Sequence, residues 1–225
     1  MAQIITTYLL DDLDEPMSMA REEFYESQLK AFKTTGKLSR SCELVDLILF
    51  TPDKKIILQK RSQFKNENTG LLDNAIGGHV LFGRSPSFTV MTSTLRELNV
   101  PTFIYGANDD IKETLKLLKN HWHTSAVVQF LDRRTANFKK TYNGEAVIMA
   151  NTYNLYVGVY GGPITPNTDE AEATLFFTID ELEKEIKNNS EQFTQDFLFF
   201  YSEYHTKITQ FLKHLDQVQT PWQKN

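Results

Sequence analysis

The chain has 225 residues, of which 40% are hydrophobic and 24% are charged, and it carries a formal net charge of −5 at pH 7. This composition is typical of a globular protein and excludes a disordered or fibrous one. The negative charge gives no general attraction to nucleic acid or to an anionic membrane, and the single cysteine excludes an internal disulfide framework. The first residues lack the basic segment and apolar run of a signal peptide, and no stretch reaches the roughly 20 apolar residues of a membrane span. We therefore expect a cytoplasmic protein with no nucleic-acid or membrane partner.

The predicted elements alternate between strands and helices along the chain. Strands are predicted from short apolar runs between turn residues, and helices from apolar residues that recur every three or four positions. In chain order the predictions are a strand at 3–10, a helix at 17–36, a hairpin at 44–60, a polar loop at 63–78, a helix at 86–98, a helix at 109–120 capped by Asn108, strands at 125–131 and 145–161 separated by 135–145, a helix at 179–189 and a terminal helix at 194–215. Helices on either side of strands in this order indicate an α/β fold, with a sheet covered on both faces.

The helix predicted at 86–98 has clear signals at its start and along one face. Ser85 is a favourable N-cap, and Pro86 suits the first helical position. Four apolar residues recur at the spacing of an amphipathic helix, namely Phe88, Met91, Leu95 and Leu98. A second, broader stripe follows the terminal helix and is predicted to lie in the core; it consists of Phe197, Phe200, Tyr201, Tyr204, Ile208, Phe211 and Leu215.

The segment around the paired glycines carries a pattern of motifs that is found in a known enzyme family. A strand ending in "QKRS" is followed by "GLLD", by "GGHV" and then by the predicted helix. In this pattern the chain resembles the Nudix hydrolases, and in particular the branch close to isopentenyl-diphosphate isomerase. The segment "NTYNLYVGVYGGPITPNTDEAEATLFFTIDELEKEI" is similar to the strand, acidic loop and short helix of the same family. The resemblance implies an α/β/α sandwich with a mixed β-sheet flanked by helices.

The resemblance also implies an organisation into three segments. We predict an N-terminal strand and helix extension at 1–40, a Nudix-like core at 41–190, and a C-terminal helix at 191–225 that packs on the core.

The sequence motif that defines the family is degenerate in this chain. The motif runs G-x5-E-x7-R-E-U-x-E-E-x-G-U, where U is a bulky apolar residue. With its first glycine placed on Gly78, the five charged positions are occupied in order by Arg84, Thr92, Ser93, Arg96 and Glu97. Only Glu97 keeps a carboxylate. The closing glycine is replaced by Asn99, which also tolerates the left-handed conformation that ends a helix.

These replacements reverse the charge at the positions that bind metal in the family. Family enzymes hold Mg²⁺ or Mn²⁺ with glutamates on one helix face beside a diphosphate. Two unit charges about 4 Å apart interact by roughly 4 kcal/mol at an effective dielectric constant near 20, so a guanidinium there would repel a divalent cation. The same guanidinium would attract a phosphate directly. We expect the usual metal cluster to be lost and anion binding to be retained.

The residues predicted to contact a phosphate or diphosphate ligand are basic side chains and glycines around the degenerate motif. They are Arg61, Lys65, Gly77, Gly78, Arg84 and Arg96. Each also has a plainer interpretation: the basic groups could be ordinary solvated surface, and the glycines could serve only a tight turn or a close backbone approach.

Two acids are the predicted catalytic and metal-binding residues, Glu97 and Glu170. The resemblance implies that Glu170 lies where the family places an extra acidic ligand or general base. Two carboxylates are fewer than the usual ligand set, so we expect Mg²⁺ binding to be weak or absent. The alternatives are that Glu97 is an exposed glutamate near a helix end and that Glu170 is an ordinary loop acid.

Three functions remain open from the sequence. The first is a Nudix-fold protein that binds a nucleotide-like or diphosphate ligand with weak or no hydrolysis. The second is an atypical Mg²⁺-dependent hydrolase of a nucleoside diphosphate derivative, acting through Glu97 and Glu170. The third is an interaction scaffold that binds no small molecule. The oligomeric state is open as well, and a homodimer is considered because paired domains are frequent in the family that the chain resembles.

Overall fold

The computed structural model describes residues 2–65, 67–106, 110–142 and 144–219. The strands are β1 (Ile4–Leu9), β2 (Asp12–Ala20), β3 (Arg40–Phe50), β4 (Ile56–Arg61), β5 (Leu72–Asp73), β6 (Ile76–His79), β7 (Thr102–Tyr105), β8 (Ala126–Tyr142), β9 (Glu145–Val159) and β10 (Ala171–Phe177). The α-helices are α1 (Arg21–Thr34), α2 (Pro86–Leu98), α3 (Ile111–Leu118), α4 (Ile179–Asn189), α5 (Gln195–Glu203) and α6 (His205–Gln219). None of the described helices has the length and apolar character needed to cross a membrane.

The strands that the structure describes form one ten-stranded mixed sheet with β3 near its centre. The order along its main path is β10-β4-β3-β9-β8-β7. Strand β3 pairs with β9 in parallel, and it pairs with β1, β6 and β4 in turn in antiparallel fashion. The short strand β6 thus brings Gly77 and Gly78 beside Asp46 and Val45 in the middle of the sheet.

Alternate residues of β3 enter two separate hydrophobic cores. Val45 and Leu47 pack in a core with Val90 of α2. Ile48 and Phe50 face a larger core, to which α1, α3, α5 and α6 contribute buried side chains. Because the side chains of a strand alternate between the two faces of its sheet, helices cover both faces. The predicted α/β/α sandwich with a mixed sheet is confirmed.

The C-terminal apolar stripe is buried as predicted, but the helix that carries it is interrupted. All seven of its residues are less than a tenth exposed. The backbone leaves the helical region at Tyr204 (φ −101°, ψ 12°), so that α5 ends there and α6 follows as a separate helix. The Tyr204 hydroxyl donates to Asp132 at 2.9 Å, which holds the break against β8. The prediction of one continuous terminal helix was wrong.

Three other predictions of local structure were wrong because strand pairing overrides the local pattern. Residues 17–20 belong to β2, whose backbone pairs with β1, and α1 begins at Arg21. The segment 135–145 was predicted to separate two strands, but β8 and β9 run through it as one long hairpin. The predicted polar loop at 63–78 likewise contains β5 and β6.

Helix α2 has the predicted ends but exposes the predicted apolar face. The Ser85 hydroxyl accepts from the Phe88 N–H at 3.1 Å, and Asn99 takes the left-handed conformation at φ 57°. Phe88, Met91 and Leu95 are between 44% and 53% exposed, whereas polar residues on the opposite face are buried. The inner face of α2 borders a polar cleft, and of the four residues of the apolar face only Leu98 is buried.

Helix α3 and the N-terminal segment complete the fold. Helix α3 is capped among the described residues by Asp110, whose carboxylate accepts from the Glu113 N–H at 3.1 Å; the predicted cap, Asn108, lies outside the described residues. The N-terminal segment is part of the sheet, because β1 pairs with β3. The three proposed segment boundaries stay a prediction.

Candidate functional site

A cleft of about 320 Å³ is bounded by strands β3, β4, β5 and β6, by the inner face of α2 and by the start of α1. Its lining includes every residue predicted to bind ligand or metal, namely Arg61, Lys65, Gly77, Gly78, Arg84, Arg96, Glu97 and Glu170. The structure therefore brings these residues together from four separate parts of the chain. Their roles stay predictions.

The paired glycines lie in β6, where they allow other side chains to approach the backbone closely. A Cβ at Gly77 would lie 2.9 Å from Asp46 Oδ1, and a Cβ at Gly78 would lie 3.3 Å from Ser93 Oγ. Neither glycine has a positive φ among the described backbone angles. Of the two structural explanations left open by the sequence, close approach is the one that the geometry supports.

Glu97 is buried at the inner end of α2 and is not an exposed glutamate. Its residue exposure is 2%, and its carboxylate accepts from Arg96 Nη2 at 2.7 Å. Burial, followed by the neighbouring charge of Glu170, raises the pKa of Glu97 to about 7. The alternative that Glu97 is an exposed glutamate near a helix end was therefore wrong.

The loop that carries Glu170 is attached to the end of α2. The Asn167 N–H donates to the Glu97 carbonyl oxygen at 2.9 Å. The Glu170 carboxylate forms an ion pair with Lys65, so both predicted acids already contact a cation.

Arg84 is a basic residue of the cleft lining that forms no ion pair among the described residues. Its guanidinium lies 5.0 Å from the centre of the Phe88 ring. Within the part of the chain that the structure describes, no carboxylate forms an ion pair with Arg84. Its N–H groups are therefore available to an anion.

The floor of the cleft contains two ion pairs. Of their four residues, only Arg61 was predicted from the sequence. Arg61 Nη1 lies 2.9 Å from Asp73 Oδ2, and Arg61 Nε donates to the Glu67 carbonyl oxygen at 3.1 Å. Lys140 Nζ lies 2.7 Å from Asp196 Oδ2. Arg61 thus uses N–H groups in contacts within the protein, and these contacts hold its side chain at the floor of the cleft.

Lys140 and Asp196 were missed by the sequence predictions. One signal was present for Lys140: it stands two residues after Phe138 in a strand, and alternate residues share a face. Phe138 and Lys140 are both 8% exposed, while the intervening Lys139 is exposed. Asp196 gave no such signal, because a first-turn acid is usual at any helix start.

A third cluster, at the side of the cleft, joins α1 to β6. The Tyr25 hydroxyl donates to Glu67 Oε1 at 2.6 Å and lies 3.0 Å from His79 Nε2, and Arg21 lies 3.2 Å from the same carboxylate oxygen. Burial, followed by the charge of Arg21, lowers the pKa of His79 to about 3. Burial opposes the ionisation of Glu67, but Lys140, His79, the hydrogen bond from Tyr25 and Arg61 together outweigh it and lower the pKa of Glu67 to about 2.

We expect the His79 site to make the fold less stable in mild acid. The pKa of His79 in the folded state is below the unfolded value of 6.5, so the unfolded chain binds the proton more readily and stability falls as the pH drops below 6.5. At pH 5 the loss is about 1 to 2 kcal/mol. The neighbours that set this pKa are Arg21, Glu67, Lys140 and Lys65.

The measurement is the melting temperature of the wild type and of His79→Gln between pH 8 and 5. The wild type should lose stability relative to the variant over this range. Glu97, whose raised pKa acts in the opposite direction below pH 7, is present in both proteins and cancels in the difference. Parallel curves for the two proteins would contradict the prediction.

The two acids predicted to bind metal are each paired with a basic side chain. No group of three or more His, Cys, Asp or Glu side chains within the described ranges is placed to hold a metal ion. The two predicted ligands, Glu97 and Glu170, contact Arg96 and Lys65 instead. The expectation that Mg²⁺ is weakly bound or absent stays a prediction.

Comparisons with known proteins agree at the level of the fold. No protein-family model and no curated protein matches the chain. Among solved structures, DR0079 from Deinococcus radiodurans is similar, with a TM-score of 0.51, 16% identity, and coverage of 86% of this chain and 94% of that one. The NUDIX domain of Shewanella oneidensis NrtR, solved with ADP ribose, is similar with a TM-score of 0.50 and 14% identity over 84% of this chain and 99% of that one. A NUDIX-family hydrolase from Clostridium perfringens has a TM-score of 0.44 and 12% identity over 79% and 97% of the two chains. The chain has the fold of the Nudix hydrolases.

Proposed function

We propose that the chain is a divergent Nudix protein that binds a nucleotide-like or diphosphate ligand in the cleft and hydrolyses it weakly or not at all. The observation that carries this proposal is the presence of Arg84 and Arg96 in the cleft, at motif positions where the family has acids. The remaining acids, Glu97 and Glu170, are engaged by cations. A diphosphate would meet cationic donors in this cleft directly.

The geometry supports binding through guanidinium groups and close backbone approach. Arg84 has no carboxylate partner among the described residues, and the Arg96 side chain is 57% exposed with one of its five N–H donors used by Glu97. Hydrogen bonds from a charged donor to a phosphate oxygen contribute about 1.5 to 3 kcal/mol each. Gly77 and Gly78 line the cleft without placing side chains of their own in it.

The structural comparisons suggest the first ligand to test. The NrtR domain was solved with ADP ribose, which contains a diphosphate between two ribosyl groups. ADP-ribose, ADP and pyrophosphate are therefore suitable trial ligands for this cleft. We further propose that Mg²⁺ is weakly bound or absent during binding, because Arg84 and Arg96 oppose a divalent cation.

Thermal shift and calorimetry with these three compounds test the proposal. A compound present at 100 times its dissociation constant should stabilise the fold by about 2.7 kcal/mol, a shift of roughly 5 to 10 °C for a chain of this size. The shift should be the same with EDTA and with MgCl₂, and phosphate release should stay near background. No shift with any of the compounds would instead favour the interaction scaffold.

The hydrolase alternative has one observation in its favour. Glu97 and Glu170 line the same cleft and are close enough for the charge of Glu170 to affect the pKa of Glu97. This alternative requires Mg²⁺- or Mn²⁺-dependent product release that is abolished by Glu97→Gln. Such a result with a nucleoside diphosphate derivative would replace the binding proposal by an enzymatic one.

The homodimer and the cytoplasmic location stay predictions. Analytical ultracentrifugation of the purified chain would determine the first, and fractionation of expressing cells the second.

A further inference from the structure

The ion pair between Lys65 and Glu170 differs in exposure from the two ion pairs on the floor of the cleft. Both residues line the cleft, and their side chains are 29% and 23% exposed. The side chains of the two floor pairs are only between 7% and 17% exposed. A ligand in the cleft can therefore contact Lys65 and Glu170 more readily than it can contact the floor pairs.

The backbone on both sides of this ion pair is anchored to Ser62, directly after β4. The Ser62 N–H donates to the Glu170 carbonyl oxygen at 3.1 Å, and the Lys65 N–H donates to the Ser62 carbonyl oxygen at 3.2 Å. The Glu170 N–H donates in addition to the Asn167 carbonyl oxygen at 2.9 Å. Because these contacts hold the two backbone segments, the pair can open by movement of the two side chains alone.

The pair also lies near Glu97 and Arg96 at the end of α2. Burial is the first cause of the raised pKa of Glu97, and the charges of Glu170 and Lys65 act on the same carboxyl group in opposite directions. Arg96 Nη2 in turn lies 2.7 Å from Glu97 Oε1. A Lys65 ammonium group that is released from Glu170 would thus offer its N–H donors to an anion held at Arg96.

We infer that the Glu170 carboxylate is an internal competitor of the ligand: it holds Lys65 in the unliganded cleft, and a phosphate group of the ligand replaces it on Lys65 when the ligand binds. This inference rests on the proposed function and adds a regulatory contact to the same site. A carboxylate and a phosphate both accept charge-assisted hydrogen bonds from an ammonium group, so they compete for it. Glu170 thereby lowers the affinity of the cleft for its ligand.

Calorimetric titration of the full chain with pyrophosphate in EDTA tests the inference. Glu170→Gln keeps the length of the side chain but not its charge, and it should raise pyrophosphate affinity about fivefold, which corresponds to the loss of one partly exposed ion pair. Glu172→Gln is the matched control, because Glu172 pairs with Lys60 at 3.2 Å and is not part of the cleft lining. The control should leave pyrophosphate affinity unchanged.

A second variant separates competition for Lys65 from simple repulsion of the ligand. The Coulomb energies between fixed charges add pairwise, so a Glu170 that only repelled pyrophosphate would give the same gain with and without Lys65. Competition requires the ammonium group. In a Lys65→Gln background, we therefore expect Glu170→Gln to raise pyrophosphate affinity by less than about twofold.

The possible results separate this inference from the proposed function. If pyrophosphate binds the wild type but Glu170→Gln gives no gain, or gives the same gain with and without Lys65, the inference is wrong and the proposed function stands. Binding that is detected only in Glu170→Gln supports the inference. If pyrophosphate binds neither protein, the inference is wrong, and the proposed function fails as well unless ADP or ADP-ribose binds.

Discussion

Replacing Lys140 by Met is expected to lower the free energy of unfolding by about 3 to 5 kcal/mol, because it leaves the buried carboxylate of Asp196 without its cation. Both residues are less than a tenth exposed, and their charged atoms lie 2.7 Å apart. Burial alone would lower the pKa of Lys140, yet Asp196 and Glu67 raise it, so the amine is held in its charged form. Equilibrium unfolding in urea, with the melting temperature as a second measure, reports the loss.

Two further variants show whether the pair is the cause. Lys139→Met makes the same change at the adjacent exposed position of β8 and should cost little. Adding Asp196→Asn to Lys140→Met should recover part of the stability, because it removes the unpaired charge while an amide can still accept from Tyr153. Equal losses for Lys139→Met and Lys140→Met would show that the ion pair does not stabilise the fold.

Lys140 also shows where reading the sequence alone fails. The segment 135–145 is rich in polar residues, and polarity without apolar periodicity favours a loop. In the structure that segment is the end of a long hairpin, stabilised by the ladder between β8 and β9. The alternation of Phe138, Lys140 and Tyr142 was visible, but a buried lysine is rare enough that the pattern alone does not predict one.

The cleft could be predicted in part because part of it is local in sequence. The motif from Gly77 to Glu97 spans a strand, a turn and one helix, so spacing determines which of these residues meet. The end signals of α2 were equally local, and Ser85 and Asn99 behave as predicted. Arg21 and Tyr25 reach the same cleft from α1, and Asp196 reaches it from α5, only because β3 gathers distant strands. Such pairings leave no short-range pattern.

The exposed stripe on α2 has a related cause. Apolar residues that recur at helical spacing mark one face of a helix, and in most proteins that face is buried. Here the inner face of α2 must border a cleft, so it carries Thr89, Ser93 and Glu97, and only Val90 and Leu98 pack into the core. A helix that borders a polar cleft can therefore bury its polar face and expose its apolar one.

Changing both Arg84 and Arg96 to Gln is expected to weaken the binding of pyrophosphate by at least about 100-fold, measured by calorimetry in EDTA. Each guanidinium that donates to a phosphate oxygen contributes about 1.5 to 3 kcal/mol, and two such losses add to a factor of this size. Gln keeps much of the length and polarity but not the charge. Circular dichroism should show the fold intact, because both arginine side chains lie at the surface of the cleft. Unchanged pyrophosphate affinity in this variant would show that the phosphates do not bind at Arg84 and Arg96.

Changing the same two arginines to Glu should go further and reverse the preference of the cleft. Together with Glu97, the new carboxylates would provide three oxygen-ligand groups of the kind that Mg²⁺ binds, and the repulsion from the guanidinium groups of Arg84 and Arg96 would be removed. We expect the melting temperature of this variant to rise with MgCl₂ and to stay unchanged with pyrophosphate, the opposite of the wild type. The Gln double variant is the matched control and should respond to neither. The Gln variant removes the positive charge at positions 84 and 96, and the Glu variant reverses it. If MgCl₂ raised the melting temperature of the wild type by as much as that of the Glu variant, Arg84 and Arg96 would not oppose cation binding.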